Sequence, residues 1–203
     1  SGEMTMKLVV ASRNKNKIRE MRAILSALSI EVVSEEELGL DLDVEETGTT
    51  FEENARLKAA AALAASGLPA VADDSGIEVA ALDGRPGVYS ARYGGDRAHS
   101  DKERYELLLE EMQGKTDRRA RYVSAICCLF PDGTEICTRG ECPGELLTAP
   151  EGTGGFGYDP IFFMPGEGVT MAQLSPERKN EISHRAIALD KFYKGLEKYN
   201  AHK

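Results

Sequence analysis

Asp73-Asp74-Ser75-Gly76 sets two adjacent carboxylates directly after the apolar run Ala70-Val71-Ala72. In α/β chains the C-terminal end of a strand is where ligands are held, and paired carboxylates make poor core residues. Such a pair suits a hard cation such as Mg²⁺, which takes oxygen ligands and commonly combines one or two carboxylates with substrate phosphates. One of the two could instead activate a water. The same tetrapeptide also reads as an Asx turn followed by a helix cap. Glu45-Glu46, ahead of Thr47-Gly48, offers two more carboxylates, which by pattern alone read as a solvated face.

A second set is Ser12-Arg13-Asn14-Lys15-Asn16-Lys17, placed where the strand-like run Lys7–Ala11 hands over to a helical pattern. Unpaired backbone N–H groups and the positive end of the helix dipole suit this place to an anion. Ser12 and Asn14 add hydrogen-bond donors, and Arg13, Lys15 and Lys17 add cations with no acid between them. The alternative is a solvated basic cap. The segment is not a P-loop, and the one Gly-Lys-Thr, at 114–116, has Leu109 where the first glycine belongs.

The third set has two parts. Residues 151–160 read E-G-T-G-G-F-G-Y-D-P, with glycine at four of ten positions and Phe156 and Tyr158 among them. Glycine lets backbone approach a ligand closely, and an aromatic in such a loop offers a face on which a base can stack. A surface turn with an aromatic plug is the other reading. Further on, S-P-E-R-K-N-E-I-S-H-R brings Lys179, His184 and Arg185. Ser183 reads as a cap that would leave His184 and Arg185 in a first helical turn, where cations oppose the dipole. A ligand would relieve that conflict, and so would a salt bridge. The pattern holds no Ser-His-Asp or Cys-His arrangement, and one well-placed histidine is too few for a zinc site.

These residues need elements to hold them. Lys7–Ala11 and Glu31–Val33 read as strands, with Ile18, Met21, Leu25 and Leu28 marking a helical stripe between them. Thr50–Ala65 is an alanine-rich helix, and Ala70–Ala72 is a strand that the D-D-S-G turn closes. Asp83–Gly95 reads as a glycine-rich loop, and Ser100–Met112 as a helix capped by Ser100. Arg121–Phe130 and Thr134–Gly140 form a hairpin around Pro131-Asp132-Gly133. Ser175-Pro176 is the N-cap and first position of a helical turn, and Leu189, Phe192, Tyr193 and Leu196 mark a final helix. The order predicts an α/β fold with a mixed central sheet and flanking helices.

The chain has 203 residues, 41% apolar and 29% charged, with net charge −9. That acidity argues against a general nucleic-acid or membrane-surface binder, but leaves room for a small phosphate pocket. No apolar run is long enough for a bilayer span, and no signal-peptide pattern is present. The four cysteines, at 127, 128, 137 and 142, read as reduced core thiols of a cytosolic protein. Ser1-Gly2 reads as a tag remnant, with the natural start at Met4 or Met6.

Taken together, the motifs S-x-N-x-x-K, E-E-T-G, T-F-x-E-N-A-x-x-K-A, A-D-D-S-G, P-G-x-Y-S-A-R-Y, G-T-G-G-F-G-Y-D-P-I-F and K-x-x-I-S-H-R resemble those of the inosine/xanthosine triphosphate pyrophosphatases, in the same order, from about Met6 to Leu196. Ser12-Arg13-Asn14 departs from the usual Thr-Gly-Asn. The resemblance implies one two-lobed domain over 6–198, an active-site cleft between the lobes, Mg²⁺, a cytoplasmic homodimer, and hydrolysis of ITP, dITP or XTP to monophosphate and pyrophosphate. It makes Asp74 the general base and a metal ligand, with Glu45 the second ligand and Glu46 its substitute. Ser12, Arg13, Asn14, Lys15, Asn16, Lys17, Lys58, Ser75 and Lys179 would hold phosphates and sugar. Phe156, Gly157, Tyr158, Asp159, His184 and Arg185 would hold the base. The alternatives are a related pyrophosphatase acting on pyrimidine or methylated nucleotides, or a non-catalytic nucleotide-binding module. Gly155–Asp159 speaks against the first, and the surviving carboxylates against the second.

Overall fold

A seven-stranded mixed sheet organises the chain, in the order β2-β1-β3-β4-β5-β6-β7. The computed structural model describes residues 6–202, so the expected tag remnant or disordered start over 1–5 lies outside the described residues. The strands are β1 (Lys7–Val10), β2 (Glu31–Ser34), β3 (Ala70–Val79), β4 (Arg119–Leu129), β5 (Glu135–Leu146), β6 (Phe162–Met164) and β7 (Val169–Thr170). The helices are α1 (Lys15–Ala27), α2 (Phe51–Ser66), α3 (Asp101–Glu111), α4 (Pro176–Ile182) and α5 (His184–Ala201). β1 pairs in parallel with both β2 and β3, and β6 pairs antiparallel with β5 and β7.

The helix starts follow from side-chain chemistry. Asn14 caps α1, accepting from the N–H groups of Asn16 and Lys17, and Thr50, Ser100 and Ser175 cap α2, α3 and α4. Each supplies an oxygen to an N–H that has no partner within its helix.

The chain divides into two compact units. One comprises the residues up to Asp74, Ser124–Gly140, and the chain from Arg185 onward. Its core gathers Leu8, Met21, Leu25, Ile126, Phe130 and Phe192. The other comprises Ser75–Val123 and Glu141–His184, around a core that includes Ile77, Leu108, Met112, Ile161, Phe162 and Met171. Among the described residues, no helix is long and apolar enough to cross a membrane.

Three expectations change. β3 does not stop at Ala72; it runs on through Asp73-Asp74-Ser75-Gly76 to Val79. β3 is an interior strand, with β1 on one side and β4 on the other, and ladder hydrogen bonds override the turn preference of Asp, Ser and Gly. Strands β6 and β7 are three and two residues long, too short for an alternating pattern to announce them. Finally, Cys127, Cys128 and Cys142 are buried, but Cys137 is exposed and is not a core thiol.

Candidate active site

Because side chains alternate along a strand, Asp73 and Asp74 project to opposite faces of β3. Asp73 is fully buried among cations. Lys17 Nζ lies 2.9 Å from its Oδ1, Arg185 Nε lies 3.2 Å from its Oδ2, and the Ser124 hydroxyl donates to Oδ2 at 2.5 Å. Arg185 also donates to Glu20 Oε1 at 2.6 Å. Two carboxylates thus stand against two cations. Burial pushes the Asp73 carboxyl up, but Arg185, Lys17 and the Ser124 hydroxyl overcome it and hold the group well below its usual range. Burial lowers Lys17, and Asp73 restores only part of the loss.

Asp74 has a different environment. Lys58 Nζ lies 3.3 Å from its Oδ1, 2.9 Å from Glu46 Oε1, and donates to the Asp73 carbonyl at 2.8 Å. The Asp74 carboxyl is pushed up to about 6: burial raises it, Lys58 pulls it down, and Glu46 raises it again. On Lys58 itself, burial is outweighed by Asp74 and Glu46, and the ammonium is held above its usual range. Asp74 Oδ2 is buried with no hydrogen-bond partner. An unpartnered buried carboxylate oxygen is costly, and it is the atom a hard cation would satisfy. The residues therefore fit Mg²⁺ with few protein ligands. Among the described residues no cluster of three or more His, Cys, Asp or Glu side chains is gathered to hold a metal unaided. Glu46, not Glu45, is the acid brought beside Asp74 through Lys58; Glu45 is exposed on the same loop.

The Ser12–Lys17 segment lies at the start of α1, as expected. Ser12 Oγ accepts from the Asn14 N–H, and Asn14 Oδ1 accepts from Asn16 and Lys17. Capping uses acceptor atoms only, so the hydroxyl and the amide keep their donors. Lys15 is exposed at the helix start, and the first turn of α1 holds no acid. Arg13 is also exposed, in loose ion pairs with Asp41 (3.4 Å) and Asp43 (3.9 Å).

In the other unit, Asp159 organises the glycine-rich loop. Its Oδ1 accepts from the Tyr122 hydroxyl at 2.8 Å; its Oδ2 accepts from the Phe156 N–H at 3.1 Å and from Lys179 Nζ at 2.7 Å. Lys179 also sits 4.4 Å above the Phe156 ring. Burial, together with Asp159, holds Tyr122 well above the usual phenol range, so it stays a donor. Gly155 is required twice over: its φ is +69°, and an added Cβ would come within 2.2 Å of Asp159 Oδ2. The Gly157 N–H donates to Asp101 at 2.9 Å. Phe156 stays partly exposed, and His184 is buried with its ring stacked on Tyr122 (4.5 Å, 8° between planes). Ser75, on β3, is half-buried.

Three of the expected base contacts, Arg185, Asp159 and Tyr158, have partners within the protein. Arg185 is 1% exposed and held on Asp73 and Glu20, so it serves the buried charge network. Asp159 is buried as the loop's own hub, and Tyr158 is a core residue whose hydroxyl donates to the Ser90 carbonyl at 2.7 Å. Residues missed in the sequence include Glu20, Tyr122 and Ser124. Each is a single polar position in an otherwise ordinary helix or strand, with no local pattern to mark it.

The mixed α/β sheet carries Asp74, with one oxygen beside Lys58 and the other buried without a hydrogen-bond partner, in one unit, and a glycine-aromatic loop built on the buried Asp159 in the other. The match to the Ham1 family spans residues 8–195, and the chain belongs to that family. A dITP/XTP pyrophosphatase of Deinococcus radiodurans is 51% identical over 183 residues, covering 90% of this chain and 89% of the relative. One of Geobacter sulfurreducens is 50% identical over 184 residues, covering 90% and 92%. Among solved structures, the Staphylococcus aureus Ham1 protein is similar with TM-score 0.83 at 44% identity, covering 95% of this chain and 99% of that one. A HAM1 protein from Coxiella burnetii has TM-score 0.85 at 40% identity, covering 96% and 100%.

Proposed function

We propose that the protein is a cytoplasmic nucleoside triphosphate pyrophosphatase that hydrolyses ITP, dITP and XTP to the monophosphate and pyrophosphate, acting as a homodimer with Mg²⁺. The observation that carries the chemistry is Asp74: a carboxyl raised to about 6, with one oxygen near Lys58 and the other buried without a partner. A group titrating near neutrality can accept a proton from water during the reaction, the requirement for a general base. The curated relatives' names supply the substrate class.

Each residue then has a physical task. Lys58 brings positive charge beside Asp74, Lys17 reaches the same Asp73 carbonyl as Lys58 and adds charge nearby, and the capped start of α1 adds Ser12 and Asn14 donors with Lys15 nearby. Phosphoryl transfer depends mainly on positioning and on neutralising charge, so these groups form a sufficient set. Mg²⁺ would be held by Asp74 and Glu46 together with substrate phosphates, and when bound it neutralises charge on the phosphate oxygens. Lys179 and Asp159 fix the Phe156 ring, which offers its face to a purine, and His184 stands braced on Tyr122 for the base.

Asp74→Asn tests the reading. The amide cannot accept the proton and is a poorer metal ligand, so kcat should fall by about 10²–10⁴ while nucleotide still binds. Activity within about threefold of the parent (roughly 0.6 kcal/mol) would remove Asp74 from the mechanism. For the dimer, a sedimentation mass of one chain at micromolar concentration would refute it.

A further inference from the structure

Cys127 and Cys137 stand directly opposite each other on the β4–β5 hairpin. The turn fixes the register. The Phe130 N–H donates to the Thr134 carbonyl at 3.0 Å, and the Gly133 N–H donates to the Phe130 carbonyl at 3.0 Å, so Gly133 and Thr134 together oppose Phe130 in a bulge at the turn, and Phe130–Thr134 takes the place of a hydrogen-bonded pair in the ladder. Pairs alternate along an antiparallel ladder. Counting outward, Leu129 faces Glu135 without hydrogen bonds, Cys128 faces Ile136 with them, and Cys127 faces Cys137 without them. Non-hydrogen-bonded pairs bring Cα atoms to about 4.5 Å and their side chains closest together. That spacing falls inside the range of about 4.4–6.8 Å that a disulfide spans. The two sulfurs approach to 2.6 Å. Both are free thiols, Cys127 fully buried and Cys137 exposed.

We propose that Cys127 and Cys137 form an oxidation site for hydrogen peroxide, with Cys137 as the attacking sulfur and Cys127 as the resolving one. The Cys137 thiolate attacks a peroxide oxygen, the O–O bond breaks, and the sulfenic acid forms as one molecule of water leaves. The Cys127 sulfur then attacks the sulfenic sulfur, the S–S bond forms, and a second water leaves. The two thiols give up two electrons and two protons, and the two peroxide oxygens end as two waters. The environment favours this division of roles. Cys137 is exposed and open to a peroxide, whereas Cys127 is buried. The exposed thiol is the one that reacts first. Cys128 lies on the opposite face of β4 in the hydrophobic core, and Cys142 is buried against Met164, which leaves both as internal controls.

The product would be a reversible staple across the hairpin that carries Ser124, the donor to Asp73. The staple sits outside the groups assigned to catalysis, so the fold should gain stability with activity retained.

The test treats the purified full chain with hydrogen peroxide, alkylates remaining thiols and maps peptides under non-reducing conditions. The expected product is a Cys127–Cys137 linkage, two hydrogens lighter than the separate peptides and reversed by dithiothreitol. Oxidised protein should melt several degrees above reduced protein. Cys137→Ser, at an exposed position, should lose both linkage and shift, whereas Cys128→Ser and Cys142→Ser should keep them. Sulfinic or sulfonic acid on Cys137 with Cys127 still alkylatable, a linkage through Cys128, or one joining two chains would overturn the proposal.

Discussion

Asp73 and Asp74 are adjacent on one strand, yet their carboxyl groups are driven apart: Asp73 is held well below its usual range and Asp74 is raised to about 6. Adjacent position gives them opposite faces, and the faces differ in charge. Separating the acidities of two neighbouring carboxyls separates their tasks, one permanently ionised and structural, the other able to exchange a proton.

The neighbours of Asp74 predict two shifts of opposite sign. Glu46→Gln removes a negative charge that opposes ionisation, so Asp74 should titrate lower. Lys58→Met removes the cation that favours ionisation, so Asp74 should titrate higher. Carboxyl ¹³C NMR of metal-free protein reads both, and a shift of the same sign in both variants would contradict the geometry. The sign carries to stability. With a folded value near 6 against an ordinary 3.8, the folded state holds the proton more tightly, so Asp74 costs stability as pH rises across that interval. Glu46→Gln should recover part of that loss at pH 7.

Arg185→Ala should act on stability before specificity. The guanidinium joins Asp73 to Glu20, and removing one partner of a buried ion network costs about 3–5 kcal/mol. Arg185→Lys, which keeps the charge without the fork, should lose less. Urea unfolding measures the loss, and kcat/KM for ITP against ATP measures specificity. Arg185→Lys with parental stability and a tenfold narrower ITP-over-ATP ratio would return Arg185 to base recognition.

Phe156→Ala should raise the ITP KM by about one to two orders of magnitude, the range that loss of one base–aromatic stack implies (about 1–3 kcal/mol). Phe156→Tyr keeps a stacking face and should stay near the parent. Equal KM values for all three proteins would place the base elsewhere.

Much of this was legible in the sequence because caps and turns are local. Ser100 and Ser175 lie within a few residues of the N–H groups they satisfy, and Pro131-Asp132-Gly133 names its own hairpin. The failures lie where distant residues decide. Asp73-Asp74-Ser75-Gly76 has turn chemistry, but the strands flanking β3 supply a ladder that no local pattern reveals. For Arg185 the helix start left a ligand and a salt bridge both open; its carboxylate partners lie 112 and 165 positions away in the chain, so no local pattern could name them. Glu45 and Glu46 are indistinguishable by pattern, and only the fold shows which approaches Lys58.

Product analysis tests the central claim most directly. ITP, XTP, GTP, ATP and dTTP would each be incubated with the protein and Mg²⁺, and the products followed by ³¹P NMR. The account predicts monophosphate and pyrophosphate in equal amounts, with ITP and XTP turned over fastest by kcat/KM. Diphosphate with orthophosphate, or ATP and dTTP turned over as readily as ITP, would contradict it.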